Sequence, residues 1–479
     1  MIFVLTLGVI VILAGLVLVF SQAMRTEVIS SSNRASAIEA DAIEQAGEQY
    51  VVAQVERYVS DAVSTTQLPG EAIRVGKGYF WLISPDAESD QLQTFGIDDE
   101  SGKVNLNVAI SDANSQATKL SLLNLPGMTQ DVADSIFNWR SPVSSTATTT
   151  NNGAQSDYYE SLQPLGYEAK NAPFETIEEL LLVRDIIKEP SNGTQVSLFG
   201  YDLNRDGVID QNERQSGGLT SQVNSGSSDS RGFYNDVTVW SVEPNTTTTG
   251  AARVSVNDTN TAALQKTLET VLGKSRAAQI LAKLSPLYVR AAGQENANGR
   301  TAATGGKSTT QPAKNTIVFP NIGAFYVASG MKSTEFSQVA DQLTASNAKT
   351  LPGLINVNTA SAQVLACLPG LTTEDAQSLV DQRNNGADTT SIAWVFDALT
   401  PVSKAVAISS LITARSFQYS ADIVGVSGDG RSFKRVRIVV DAQTVPAKIV
   451  YRRDLSGYGW PLDPRIQVNF RNGTYVPPN

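Results

Sequence analysis

The first twenty residues, MIFVLTLGVIVILAGLVLVF, carry no charge, and Thr6 supplies their single polar side chain. At about 1.5 Å per residue such a run spans roughly 30 Å, the thickness of a bilayer's hydrocarbon core, so one membrane crossing is predicted. A secretory signal would show a basic start and a small-x-small cleavage site; there is no basic start, and Ser21-Gln22-Ala23 is a poor match. The pattern then changes from apolar all round to one-sided. No proline occurs before Pro69, while Ala35, Ile38, Ala42, Ala46 and Tyr50, followed by Val51, Val55, Tyr58 and Ala62, recur at steps of three and four. The spacing predicts one continuous helix of roughly 60 residues, its second part laid on a sheet along that stripe.

Period-two patterning appears in two separated places. Residues 78–83 (GYFWLI) and 91–97 read as strands of a hairpin around Ser84-Pro85-Asp86. Near the other end Phe417, Tyr419, Ala421 and Ile423 alternate, residues 427–430 (SGDG) turn, Val436, Ile438 and Val440 alternate again, and a third strand is expected at 449–451. These strands complete the sheet begun before a long helical interruption. Within it, VNLN at 104–107, VSVN at 254–257 and INVN at 355–358 each precede a helical segment. In the copy at 355–383 the short strand leads to a capped helix, a Pro-Gly turn and a second helix, a helix-hairpin-helix pattern also suggested at 123–140. Polar spacers fall at 141–157, 216–230 and 291–315, the last reading as flexible.

Composition narrows the function. The chain has 479 residues and a net charge of −10, which disfavours polyanion partners. It has no histidine, the usual general base near neutral pH and the commonest nitrogen ligand of zinc. Cys367, the one cysteine, stands in VLACLPGL and reads as buried packing. Asp98, Asp99 and Glu100, like Glu178 and Glu179, lack any nucleophile or phosphate loop beside them, so a solvated or capping role is expected rather than acid-base work. No catalytic and no organic cofactor residues are named. The five tryptophans are expected in core or interface positions.

The sharpest chemical motif is residues 202–213, DLNRDGVIDQNE. Asp202, Asn204, Asp206, the Val208 carbonyl, Asp210 and Glu213 fall at the oxygen positions of a calcium loop, with Gly207 at the sixth place where such loops turn sharply. A structural calcium clip is expected rather than a helix-loop-helix sensor. The Leu-Pro-Gly turns at 125–127 and 368–370 raise a DNA-binding alternative. They lack the second glycine of a phosphate-binding turn, and acids such as Asp131, Asp134, Glu374 and Asp375 stand at the following helix starts.

The long helix, DDESGKVNLN at 98–107, Asp157-Tyr158-Tyr159 and KNAPFETIEELLLV at 170–183 together resemble the type IV pilin and pseudopilin superfamily, and within it the K family of minor pseudopilins of type II secretion. If Met1 is the processed terminus, Leu5 stands where most pilins carry Glu and the K family an apolar residue; otherwise a basic leader ending in Gly precedes it. The fold class implied is α+β: a long N-terminal helix packed on an antiparallel sheet, with a large inserted α-helical (SAM-like, helix-hairpin-helix) domain. The expected divisions are 1–20 transmembrane, 21–65 amphipathic helix, 66–103 first sheet part, 104–290 inserted domain, 291–316 flexible linker, 317–400 second helical unit and 401–479 C-terminal strands. The resemblance implies a non-enzymatic subunit at the pseudopilus tip that initiates or caps assembly. It also implies I- and J-type minor pseudopilins as partners, prepilin-peptidase processing with methylation, a single pass through a bacterial inner membrane and a periplasmic body. The alternative from another class is a membrane-tethered DNA-uptake protein.

Overall fold

The computed structural model describes residues 2–61, 68–86, 89–108, 121–140, 153–188, 195–210, 213, 231–258, 260–300 and 318–478. Helix α1 (Ile2–Asp61) runs unbroken, and among the described residues it is the one helix long and apolar enough to cross a membrane. Among the described residues its first thirty are all exposed. The second half packs on a sheet, along the expected stripe at Val51, Val55 and Tyr58 but off it before them. Ser36, Ala40, Ile43, Gly47, Val51, Val55 and Tyr58 face inward, whereas Ala35, Ile38 and Ala42 are exposed and Ala46 and Tyr50 half-buried; Ala62 lies outside the described residues. The reason is distance. A Cβ placed on Gly425 would stand 2.7 Å from the Ala40 carbonyl oxygen, and one on Gly47 would stand 2.7 Å from Ile423 Cγ2. Helix and sheet approach so closely that the contact needs small residues, and the bulky Ile38 is turned out.

After the helix come β1 (Ile73–Val75), β2 (Gly78–Pro85), β3 (Gln93–Phe95) and β4 (Asp98–Asp99). Strand β2 pairs antiparallel with β1 and with β3, the latter being the hairpin expected around Pro85.

The insertion is built from three copies of one plan. The first opens on β5 (Val104–Asn105), holds α2 (Gln130–Arg140), α3 (Ser156–Glu160), β6 (Ile186–Ile187) and β7 (Val196–Ser197), and returns on β8 (Val237–Thr238). After β9 (Val242–Pro244), the second opens on β10 (Val254–Ser255). It holds α4 (Ala262–Leu272), α5 (Lys274–Arg300), α6 (Ile322–Ser329) and α7 (Ser333–Ala340) and returns on β11 (Leu343–Thr344). After β12 (Thr350–Pro352), which pairs with β9, the third opens on β13 (Ile355–Asn356). It holds α8 (Ala362–Ala366), α9 (Thr373–Asn384), α10 (Ala393–Ala398) and α11 (Val402–Ile408) and returns on β14 (Ile412–Thr413).

Each opening strand pairs in parallel with its return strand. The hydrogen bonds repeat as well. Leu106, Val256 and Val357 N–H groups donate to the carbonyls of Thr238, Thr344 and Thr413, at 2.9, 2.8 and 3.0 Å. The side-chain amides of Asn107, Asn257 and Asn358 bond backbone groups further along their own units. An Asn so placed offers a donor and an acceptor to chain that has no regular structure of its own.

This plan moves two expected boundaries. Residues 291–300 are the end of α5 rather than linker, since Ala291, Ala292, Gln294, Glu295 and Ala297 are able helix formers continuing an existing helix; 301–317 lie outside the described residues. Residues 401–413 close the third unit, because β14 pairs with β13, so the C-terminal strands begin later than 401.

Those strands are β15 (Gln418–Val426), β16 (Phe433–Asp441) and β17 (Lys448–Asp454), followed by α12 (Pro464–Arg471). The sheet order is β1-β2-β15-β16-β17, with β3 on β2 and β4 on β15. Ile423 stands opposite Leu82, and Val424 opposite Trp81, across the whole insertion. One face packs on α1 through Phe80, Leu82, Ile423, Val436 and Ile438; the other carries Trp81, Val424 and Val426 under Leu462 and Phe470. Each such fully buried side chain contributes about 1.5–3 kcal/mol. Trp81, Trp139 and Trp394 are buried, and Trp240 and Trp460 half-buried.

Candidate calcium loop at the seam of insertion and sheet

Residues 202–210 and 213 of the motif turn back on themselves where the first unit meets the sheet; 211 and 212 lie outside the described residues. Arg205 and Gly207 have φ of +60° and +84°, which bend the chain back on itself. Gly207 has no substitute, because a Cβ there would lie 2.7 Å from Pro85 Cβ. The loop's acids accept its own N–H groups. Asp202 takes those of Asp206 (3.1 Å) and Gly207 (2.9 Å), Asp206 takes that of Val208 (2.9 Å), and Asn204 Oδ1 takes that of Asp206 (2.8 Å). Glu213 reaches back to accept from Leu203 (2.9 Å), Asn204 (3.1 Å) and Asp210 (3.1 Å), while its own N–H donates to Asp210 (3.0 Å).

Asp202, Asn204, Asp206, Asp210 and Glu213 are thus brought together, with Val208 between them. Asp202, Asp206 and Glu213 are also buried. Burial, then the Glu213 charge, pushes the Asp202 carboxyl up to about 7. Burial, then Asp202, pushes Asp206 up to about 8, and burial raises Glu213 as well. Among the described residues no three acid or thiol side chains stand gathered as a ready metal site. The chemistry of the donors nonetheless fits a hard divalent cation. All are oxygens, each carboxylate keeps lone pairs beyond those used by N–H groups, and the acids crowd one another, with Arg435 and Arg231 only partly offsetting their charge.

Three arginines hold this loop in place, and sequence reasoning did not single them out. Arg435 on β16 is fully buried, pairs with Asp422 on β15 at 2.6 Å, and donates to the Asn204 and Arg205 carbonyls at 2.6 and 2.5 Å. Arg231 donates to the Gly207 carbonyl (2.9 Å) and to that of Asp86. Arg205 lies over the Phe199 ring at 3.7 Å and the Tyr458 ring at 4.4 Å, within 3.5 Å of Glu178. The available signal was the alternation of β16, where Arg435 and Arg437 alternate with inward Val436 and Ile438. Such charges read as solvated unless another layer covers them, and the first unit does.

The run Asp98, Asp99 and Glu100 caps, as one expectation had it, but it is not solvated. Asp99 caps a turn through Ser101 N–H (2.8 Å) and accepts from Asn356 (2.9 Å), Thr359 (2.6 Å) and Ser416 (2.5 Å). Glu100 accepts from Lys103 (2.6 Å), Ser420 (2.6 Å) and Thr238. Burial raises Asp99; against burial, Lys103 and Arg437 hold Glu100 below the usual carboxylate range. These acids are buried because sheet, first unit and third unit all meet at them.

Two family models match, both described as type II secretion system protein K, at residues 102–191 and 355–413. The second match begins on the first residue of β13 and ends on the last of β14, so it coincides with the third unit. In these two stretches the chain is similar to protein K of type II secretion. No curated protein matches it. The crystal structure of the GspK-GspI-GspJ complex from the enterotoxigenic Escherichia coli type 2 secretion system aligns over 90% of this chain and 99% of that chain, at 10% identity. Its TM-score of 0.39 is too low for one fold to be argued from the other. The helix after Gly370 is capped by Thr372 with Asp375, and Asp375 pairs with Lys404 at 2.5 Å, leaving acid where a DNA phosphate would need a base. Nothing supports the DNA-uptake alternative.

Proposed function

We propose that this protein is a minor pseudopilin at the tip of a type II secretion pseudopilus, where it initiates or caps assembly beside I- and J-type minor pseudopilins. The observation that carries the reading is the contrast along α1. Its first third is apolar and its first half exposed, its second half is fused to a sheet, and that sheet carries three extra units inserted between β4 and β15. A bare apolar helix supplies the packing surface of a helical filament. A body enlarged by the insertion leaves little room for another subunit above it. The anchor makes a single pass through the inner membrane, with the body in the periplasm, and prepilin peptidase is its processing partner. No step is catalytic. Within this body the 202–213 loop is a calcium clip, held by Asp202, Asn204, Asp206, the Val208 carbonyl, Asp210 and Glu213, where the ion neutralises acids that otherwise repel at the seam.

Co-expression of the full chain with its I- and J-type neighbours tests the tip assignment. The three are expected to co-purify, and deleting this chain is expected to cut both pseudopilus number and secretion. Normal pseudopili and secretion without it would overturn the assignment.

A further inference from the structure

Basic side chains gather at the end of the sheet nearest the exposed half of α1. Arg74 stands on β1, its Nε donating at 3.2 Å to the carbonyl of Gly76 in the turn to β2, and Lys77 closes that turn. A Cβ on Gly428, in the turn from β15 to β16, would lie 2.7 Å from Lys77 Cβ, and one on Gly430 would lie 3.3 Å from the Arg471 nitrogen at the end of α12. Both turns and the end of α12 therefore meet at one place. Two bonds fix that place on α1, since Ser36 donates to Asp429 at 2.6 Å and Arg431 to the Ser32 hydroxyl at 2.9 Å. Arg74, Lys77, Arg431 and Arg471 are exposed, as are Arg25 and Arg34 on α1 itself. Acids are fewer here. Asp429 is occupied by Ser36, Ser427 and Arg431, Asp454 is matched by Lys434 at 2.5 Å, and Glu27 is the one acid on α1 before Glu39. Lys77 and Arg471 carry no ion pair among the described residues.

The height of this end above a membrane follows from α1. Its uncharged run ends at Met24, the residue before Arg25. Ser32 stands roughly 12 Å further along the helix, and the headgroup layer takes up about 5–7 Å of that. The remaining gap is within the Debye length of about 8 Å. The sheet lies on one side of α1, so an ordinary tilt of about 20° toward that side narrows the gap further.

We propose that this basic end of the body docks on anionic phospholipid headgroups of the bilayer that α1 crosses, holding the body down against the membrane surface. The proposal rests on the reading of α1 as a membrane anchor. The chain's net charge of −10 does not oppose it, because acids more than about 10 Å away are largely screened. Each Lys or Arg held near an anionic surface strengthens the contact roughly fivefold. Lipid is the occupant favoured over a free polyanion because the continuous helix fixes this end beside the bilayer.

The full chain carrying Asn472→Cys, at an exposed position beside Arg471, takes a donor dye there, since Cys367 is buried. It is inserted into nanodiscs with an acceptor dye on the headgroups, made of phosphatidylcholine alone or of equal parts phosphatidylcholine and phosphatidylglycerol. More energy transfer is expected in the anionic discs, with the difference shrinking as sodium chloride is raised. Lys77→Glu with Arg471→Glu should remove the difference; Lys77→Gln with Arg471→Gln serves should the reversed pair melt early. Equal transfer in the two discs, or an undiminished preference in a well-folded charge variant, would overturn the proposal. So would loss of the preference in inorganic phosphate but not in chloride at the same ionic strength, since that would make the site a phosphate receptor. A chain that enters neither disc would overturn the anchor reading itself.

Discussion

Glu44 sits on the sheet-facing side of α1 with one carboxylate oxygen unpartnered, although Arg452 reaches its other oxygen at 3.1 Å. Burial, followed by its hydrogen bond with Glu48, pushes its carboxyl up to about 8 from an ordinary value of 4.5. The folded chain therefore keeps a proton here that the unfolded chain releases. Stability linked to this group is whole below about pH 4.5 and falls as pH rises toward 8. Glu44→Gln should remove that slope and raise the melting temperature at pH 8, by roughly 2–4 °C for each kcal/mol recovered, while leaving it little changed near pH 4.5. Parallel pH profiles for the two proteins would show that Glu44 is not the group responsible. A helical wheel places Glu44 on the inward face only if the stripe is known, and the apolar stripe through Ile38 pointed elsewhere.

Among the elements, the meeting of Asp202, Asn204, Asp206, Asp210 and Glu213 was legible because these positions are local. Six positions and a glycine lie within twelve residues, and chain geometry alone fixes their order. Arg435 was illegible for the opposite reason, since its loop partners Asn204 and Arg205 lie more than 200 residues earlier. The opening strands of the three units were readable as VNLN, VSVN and INVN. Their return strands were not, because Val237-Thr238, Leu343-Thr344 and Ile412-Thr413 are two residues each and become strands only by pairing. For the loop, a cation that binds the folded chain alone shifts unfolding by about 2.7 kcal/mol at a hundred times its Kd. Melting in excess calcium should therefore occur well above melting in chelator, and Asp202→Ala should abolish the difference. Identical wild-type melts in the two conditions would eliminate the clip.

Over the whole molecule, the sheet is one body although its two halves are separated by the entire insertion, and the insertion is fastened to it largely by polar contacts. Asp99 is the most connected of these, joining β4 to Asn356 and Thr359 of the third unit and to Ser416 at the start of the C-terminal strands. Apolar contact alone does not fix that arrangement, because the core of the three units and the core under α1 are separate clusters. Two cores joined by polar bonds melt together only while those bonds make separate melting unfavourable. Asp99→Ala leaves four donors without their acceptor, a loss of about 1–3 kcal/mol for each that stays buried. By calorimetry the single transition expected of the parent chain should divide in two, with the insertion melting first and the sheet with α1 later. One undivided transition at an unchanged midpoint would mean that the seam is held elsewhere, with the Arg435 and Arg231 contacts to the loop as the next bonds to cut.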